Sequence, residues 1–181
     1  MTNNKKERLS AREKLDQRCD VLAEIVLPLR ALYQKPTTTP TQKALLETVI
    51  GAAIWYLPGC EGLFTGKISV RAVEACRKDK KQWAKLTREH CYPRKRAGAD
   101  LLKGETAGLT GKEILVGYQT NWGRYNLVTK EENRALIPHQ KNEMCAEDCY
   151  TTAGISLIDV PEDIGKSRRG SQKRKNESLE P

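Results

Sequence analysis

Apolar positions in the first third of the chain recur with helical spacing. Leu15, Leu22, Ile25, Val26, Leu29 and Leu32 fall near one stripe of a 3.6-residue repeat, and Ser10 with Glu13 three positions later is a capping-box signature for its start. Pro28 removes a backbone donor inside this segment and predicts a kink or an interruption, and Lys35-Pro36 predicts its end. The Thr-Thr-Thr-Pro-Thr run at 37–41 reads as a linker. Beyond it, Leu45, Leu46, Val49, Ile50, Ala53, Ile54 and Leu57 make the apolar face of a second helix, stopped by Pro58-Gly59. Two such helices predict an antiparallel hairpin over 10–66, a scaffold able to support a site or a homodimer.

The periodicity then shortens. Ser69 is placed to cap a third, basic helix running to about Lys80, and Trp83-Ala84-Lys85-Leu86-Thr87 alternates as a short strand ending at Glu89-His90. Pro93 opens a short helix to Leu102, and Thr110 with Glu113 forms a capping box for another helix to about Gln119. Trp122 and Tyr125 around Gly123-Arg124 predict a tight turn carrying exposed rings, and Tyr125-Asn126-Leu127-Val128 predicts a strand. Thr129 with Glu132 caps a further helix, and 154–160 reads as an edge strand. Together these elements predict an α+β fold, mainly helical, with a small ββα unit after the hairpin. The expected organisation is a basic arm at 1–9, the hairpin at 10–66, a basic ββα-like region at 67–160 and a basic tail at 161–181.

Charge sharpens this division. The chain of 181 residues has a formal net charge of +9. Residues 67–103 hold twelve basic and four acidic side chains, whereas 104–165 hold five and ten. A segregated basic block is the pattern of a polyanion binder, because each Lys or Arg that meets a phosphate releases condensed counterions. Nucleic acid, DNA in particular, is the expected partner. No run of about 18 apolar residues suggests a membrane span and no apolar leader follows Met1, so a cytoplasmic protein without a membrane partner is expected. The six cysteines are scattered, and Cys145 and Cys149, with Cys91 and His139 as conceivable partners, lack the paired C-x-x-C knuckle. No structural zinc is expected.

The string most suited to chemistry is Leu86-Thr-Arg-Glu-His-Cys-Tyr-Pro-Arg-Lys95, in which a strand ends on an acid and a histidine and leaves through proline and cations. Phosphodiester hydrolysis needs a base for water, a hard cation on the scissile phosphate and positive side chains to hold the strand. Histidine, carboxylate and Arg/Lys are those three parts. Arg88, Arg94, Lys95, Arg96, Lys85, Arg124 and Arg134 are the candidate nucleic-acid contacts.

This string resembles the HNH, or ββα-metal, nuclease family, whose first strand ends in Asp/Glu-His-x-x-Pro followed by a cation. Asn126-Leu-Val-Thr-Lys-Glu-Glu-Asn133-Arg134 is similar to that family's second strand and metal helix. The resemblance implies a metal-dependent endonuclease of the restriction, defence or mobile-element type. It implies His90 as general base, Glu89 and Asn133 as ligands of Mg²⁺ or Mn²⁺, and Asn126 in a supporting catalytic role on the strand. The interval from His90 to Asn133 holds two predicted helices where the family has a loop, and Asn126 to Asn133 is about two residues shorter than the family spacing. His139 is a further candidate for the third family position or an exposed helix-end residue. Two other functions stay open: a DNA- or RNA-binding regulator without catalysis, and an interaction protein such as an antitoxin or inhibitor that uses the hairpin.

Overall fold

The computed structural model describes residues 9–60, 62–104, 108–140 and 146–164, without the side chains of 146 and 147. The arm at 1–8, Cys145 and the tail from 165, with its Lys and Arg residues, lie outside the described residues. The fold is α+β and mainly helical, with a small four-stranded sheet. The described residues form two compact units, one of those up to 63 with those in 90–124 and the other of 64–89 with those from 125 onward. This division is interleaved along the chain. The reason is non-local pairing, since a strand at 64–69 joins one at 125–128.

The first unit is helical. Helix α1 (Ala11–Gln34) starts at the Ser10–Glu13 capping box and runs through Pro28 without ending. Helix α2 (Pro40–Trp55) starts earlier than expected, because Thr39 and Gln42 form a capping box with Pro40 in the first turn. Helices α4 (Arg94–Lys103) and α5 (Gly111–Gly117) complete it. α1 and α2 touch each other, and beyond that contact α2 packs chiefly on α4 and α1 chiefly on α5. The predicted stripes are buried only in part. Leu15, Leu22 and Val26 are buried on α1 with Ile50 and Ile54 on α2, while Ile25, Leu32, Leu45 and Val49 are exposed. The α2–α4 contact is backbone against backbone. A Cβ on Gly98 would strike the Glu47 carbonyl, and one on Gly51 would strike that of Arg94.

The second unit is a sheet between helices. Strands β1 (Phe64–Ser69), β2 (Thr87–His90), β3 (Tyr125–Val128) and β4 (Leu157–Asp159) lie in the order β2-β3-β1-β4. β1 is parallel to β3, with Phe64 opposite Tyr125 and Ile68 opposite Leu127, and antiparallel to β4. β4 is the edge strand foreseen for 154–160. β1 was not foreseen, and the strand expected from Trp83 begins only at Thr87. Lys80–Lys85 instead form a 3-10 helix, started by the Asp79 carboxylate accepting from the Lys81 N–H at 2.9 Å.

Alternation along the strands builds two layers. On one side Ile68 and Leu127 pack with Ala72, Val73 and Cys76 of α3 (Val70–Lys78), and Phe64, Trp83, Leu86 and Tyr125 border them. On the other, Val128 packs with Leu136 of α6 (Lys130–Gln140), with Cys149 and Tyr150 of α7 (Ala146–Thr152) and with Ile155. Among the described residues no helix is long and apolar enough to cross a membrane.

Candidate active site

β2 neighbours β3 in the sheet, and β3 passes through Thr129 directly into α6. The turn into α6 is fixed by the predicted capping box. The Glu132 carboxylate accepts from the Thr129 N–H at 2.9 Å, and the Thr129 hydroxyl accepts from the Glu132 N–H at 3.2 Å. The same carboxylate, 4% exposed, accepts from the Ser69 hydroxyl at 2.6 Å. Ser69 in turn caps α3, accepting from the Ala72 N–H at 3.1 Å. One buried carboxylate therefore joins two helix N-termini, where its charge also suits the positive ends of both dipoles.

The second unit carries three of the expected site residues on its α6 side. Glu89 is 8% exposed, and its carboxylate accepts a hydrogen bond from the Gln140 amide at the far end of α6. Asn126 is 5% exposed. Its amide NH₂ donates to the Tyr150 hydroxyl at 3.1 Å and its carbonyl accepts from the Thr65 hydroxyl. Asn126 is thus a clamp from β3 to β1 and α7, a structural duty that its place in the motif did not announce. Asn133 is half-buried in the first turns of α6, with its N–H on the Thr129 carbonyl at 3.0 Å, and shares a helix face with Gln140. Glu89 and Asn133 are hard oxygen donors of the type that suits Mg²⁺ or Mn²⁺. Among the described residues no three His, Cys, Asp or Glu side chains converge on a point.

His90 belongs to the first unit, where its surroundings come from residues that the motif did not flag. Its ring centroid lies 4.0 Å from that of Trp55 at a 46° tilt, and its Nδ1 lies 3.5 Å from the Trp122 carbonyl oxygen. The Arg94 guanidinium sits 3.9 Å from the centroid of Trp55, so one indole at the end of α2 holds both the candidate base and a candidate phosphate contact. The close α2–α4 approach at Gly51 and Gly98 places Arg94 there. Trp55 was invisible as a partner because it lies 35 residues before His90 in an ordinary apolar helix pattern.

The candidate cations are exposed but differ in setting. Arg88 stands 5.2 Å from the Tyr125 ring centroid, and Arg96 stands 5.6 Å from that of Tyr92. Lys95 pairs with Glu47 at 3.5 Å. Lys85, Arg124 and Arg134 project from the 3-10 helix, the turn before β3 and α6 respectively. The exposed rings expected around Gly123 are a correction: Trp122 is half-buried, its indole filling the space a side chain on Gly117 would need, and Tyr125 stacks at 5.5 Å on Phe64. A π-helical turn at Tyr118–Trp122 makes this packing. His139 is half-buried near the end of α6, Cys91 is half-buried and Cys149 is buried. No protein-family model, curated protein or solved structure matches the chain.

Proposed function

We propose that this protein is a metal-dependent endonuclease of the HNH type, acting on DNA. The observation that carries the proposal is the succession of β2, its sheet neighbour β3 and α6, with Glu89-His90 closing the first strand and Asn133 opening the helix. In this reading His90 takes the proton from the attacking water, and a general base of this kind is worth about 10²–10⁴-fold in rate. Trp55 and the Trp122 carbonyl restrain its ring. Glu89 and Asn133 would hold a divalent ion, which when bound supplies positive charge to the scissile phosphate. Arg94, Arg88 and their neighbours hold the strand by phosphate contacts, which makes binding salt-dependent.

The second reading, binding without cleavage, draws on the structural engagement of Glu89 by Gln140 and of Asn126 by Thr65 and Tyr150. Supercoiled plasmid incubated with the protein, with and without Mg²⁺ or Mn²⁺, separates the two. Nicking that requires the ion and falls at least about 100-fold in Glu89→Gln is expected. An intact plasmid with a salt-sensitive gel shift would leave the binding protein.

A further inference from the structure

A cavity of about 240 Å³ opens in the second unit, lined by Cys76, Arg77, Lys80, Trp83, Asp163 and Ile164. It lies on the α3 side of the sheet, whereas Glu89, Asn126 and Asn133 serve the α6 side. Its volume falls short of the roughly 300–1,000 Å³ that encloses drug-sized ligands, so it suits a single ring system. The floor is uncharged: Cys76 and Ile164 are buried, and burial followed by the Asp79 charge pushes the Cys76 thiol upward. One wall is Trp83, only partly buried although it packs against the apolar cluster beneath it. An indole left half-open beside a cavity is a stacking platform for a flat ring.

The rim selects the charge of the occupant. Arg77 is held by the Asp163 carboxylate at 3.1 Å through Nε, which leaves its two terminal amino groups to other acceptors. Lys80 is exposed and has no ion-pair partner among the described residues. Lys78, Lys81 and Lys85 are exposed along the same short stretch. A flat apolar slot under a cationic rim fits an aromatic ring that carries an anion. We propose that this cavity binds one nucleotide of a nucleic-acid strand, with the base stacked on Trp83 and the phosphate on Arg77 and Lys80. The inference deepens the nucleic-acid reading above and rests on it for the source of the nucleotide. A base reaches such a slot only from a single strand or when turned out of a duplex, so the site favours unpaired over paired nucleotides.

The test follows the indole N–H resonance of Trp83, assigned with Trp83→Phe, in the full chain. Deoxyadenosine monophosphate is titrated against 2-deoxyribose 5-phosphate, which has the same phosphate and no base. The Trp83 signal is expected to shift and saturate with the nucleotide and to stay still with the sugar phosphate. Lys80→Glu is expected to weaken the nucleotide at least about fivefold by reversing one rim charge. A silent Trp83, or equal shifts with both ligands, would overturn the proposal. Plasmid cleavage by the wild-type protein is scored separately. Cleavage with a silent Trp83 sinks the pocket alone, while a saturating shift without cleavage supports the pocket and sinks the nuclease.

Discussion

The two sides of the sheet bury different chemistry. Toward α3 the layer is aliphatic and aromatic, with Ile68, Leu127 and Val73 at its centre. Toward α6 and α7 an apolar cluster around Leu136 is accompanied by the polar groups of Ser69, Glu89, Asn126 and Glu132. The same strand serves both sides, Leu127 facing one layer and Asn126 and Val128 the other. Apolar burial stabilises roughly in proportion to area and tolerates imperfect angles. Buried polar groups hold only where their partners are present, and are costly where one is removed. The α6 side is therefore the one whose geometry is specified residue by residue, and the candidate metal ligands lie on it.

The largest change is expected from the apolar layer. Ile68 is fully buried, and Ile68→Ala should cost about 2–5 kcal/mol in denaturant unfolding followed by sheet amide hydrogen exchange. A loss below about 1 kcal/mol would mean that the α3 layer is not the apolar anchor of the sheet. Next in size is Glu132→Ala, which strips the carboxylate from both helix caps and should cost about 1–3 kcal/mol. Exchange protection should fall at the first turns of α3 and α6 together. Loss at one helix only would break the shared-cap description.

The smallest effect belongs to the exposed Arg77–Asp163 pair on the α3 side. Its hydrogen bond with Arg77, against a weaker desolvation, holds the Asp163 carboxyl below its usual value. A depressed folded-state pKa contributes stability above the unfolded value, and that contribution disappears as pH falls through the folded value. Arg77→Ala should therefore lower the melting temperature slightly near neutral pH, and the difference from wild type should vanish in acid. A difference that persists in acid would point to packing of the Arg77 stem instead.

Most local signals were legible and distant ones were not. The Ser10–Glu13, Thr110–Glu113 and Thr129–Glu132 boxes each join residues three apart, so helix starts could be read from the chain directly. β1 has a period-2 pattern in Phe64, Gly66 and Ile68, but Gly66, at a φ of 84°, breaks its regularity, and its partner β3 is some 60 residues away. Trp83–Thr87 alternated like a strand, yet the Asp79 side chain bends the backbone into a 3-10 turn first. In the candidate site, Glu89, His90 and Asn133 could be proposed from the motif resemblance. Trp55 beside His90, Gln140 on Glu89 and Tyr150 on Asn126 could not, because tertiary packing brings them from elsewhere in the chain.

His90 tests the central claim most directly. Plasmid nicking by His90→Ala is measured at saturating Mg²⁺, with and without added imidazole, beside a gel shift on the same DNA. The rate is expected to fall about 10²–10⁴-fold with DNA affinity kept, and imidazole should restore part of it by supplying the missing base. An unchanged rate, or a loss that follows DNA affinity and ignores imidazole, would contradict His90 as the base of a nuclease.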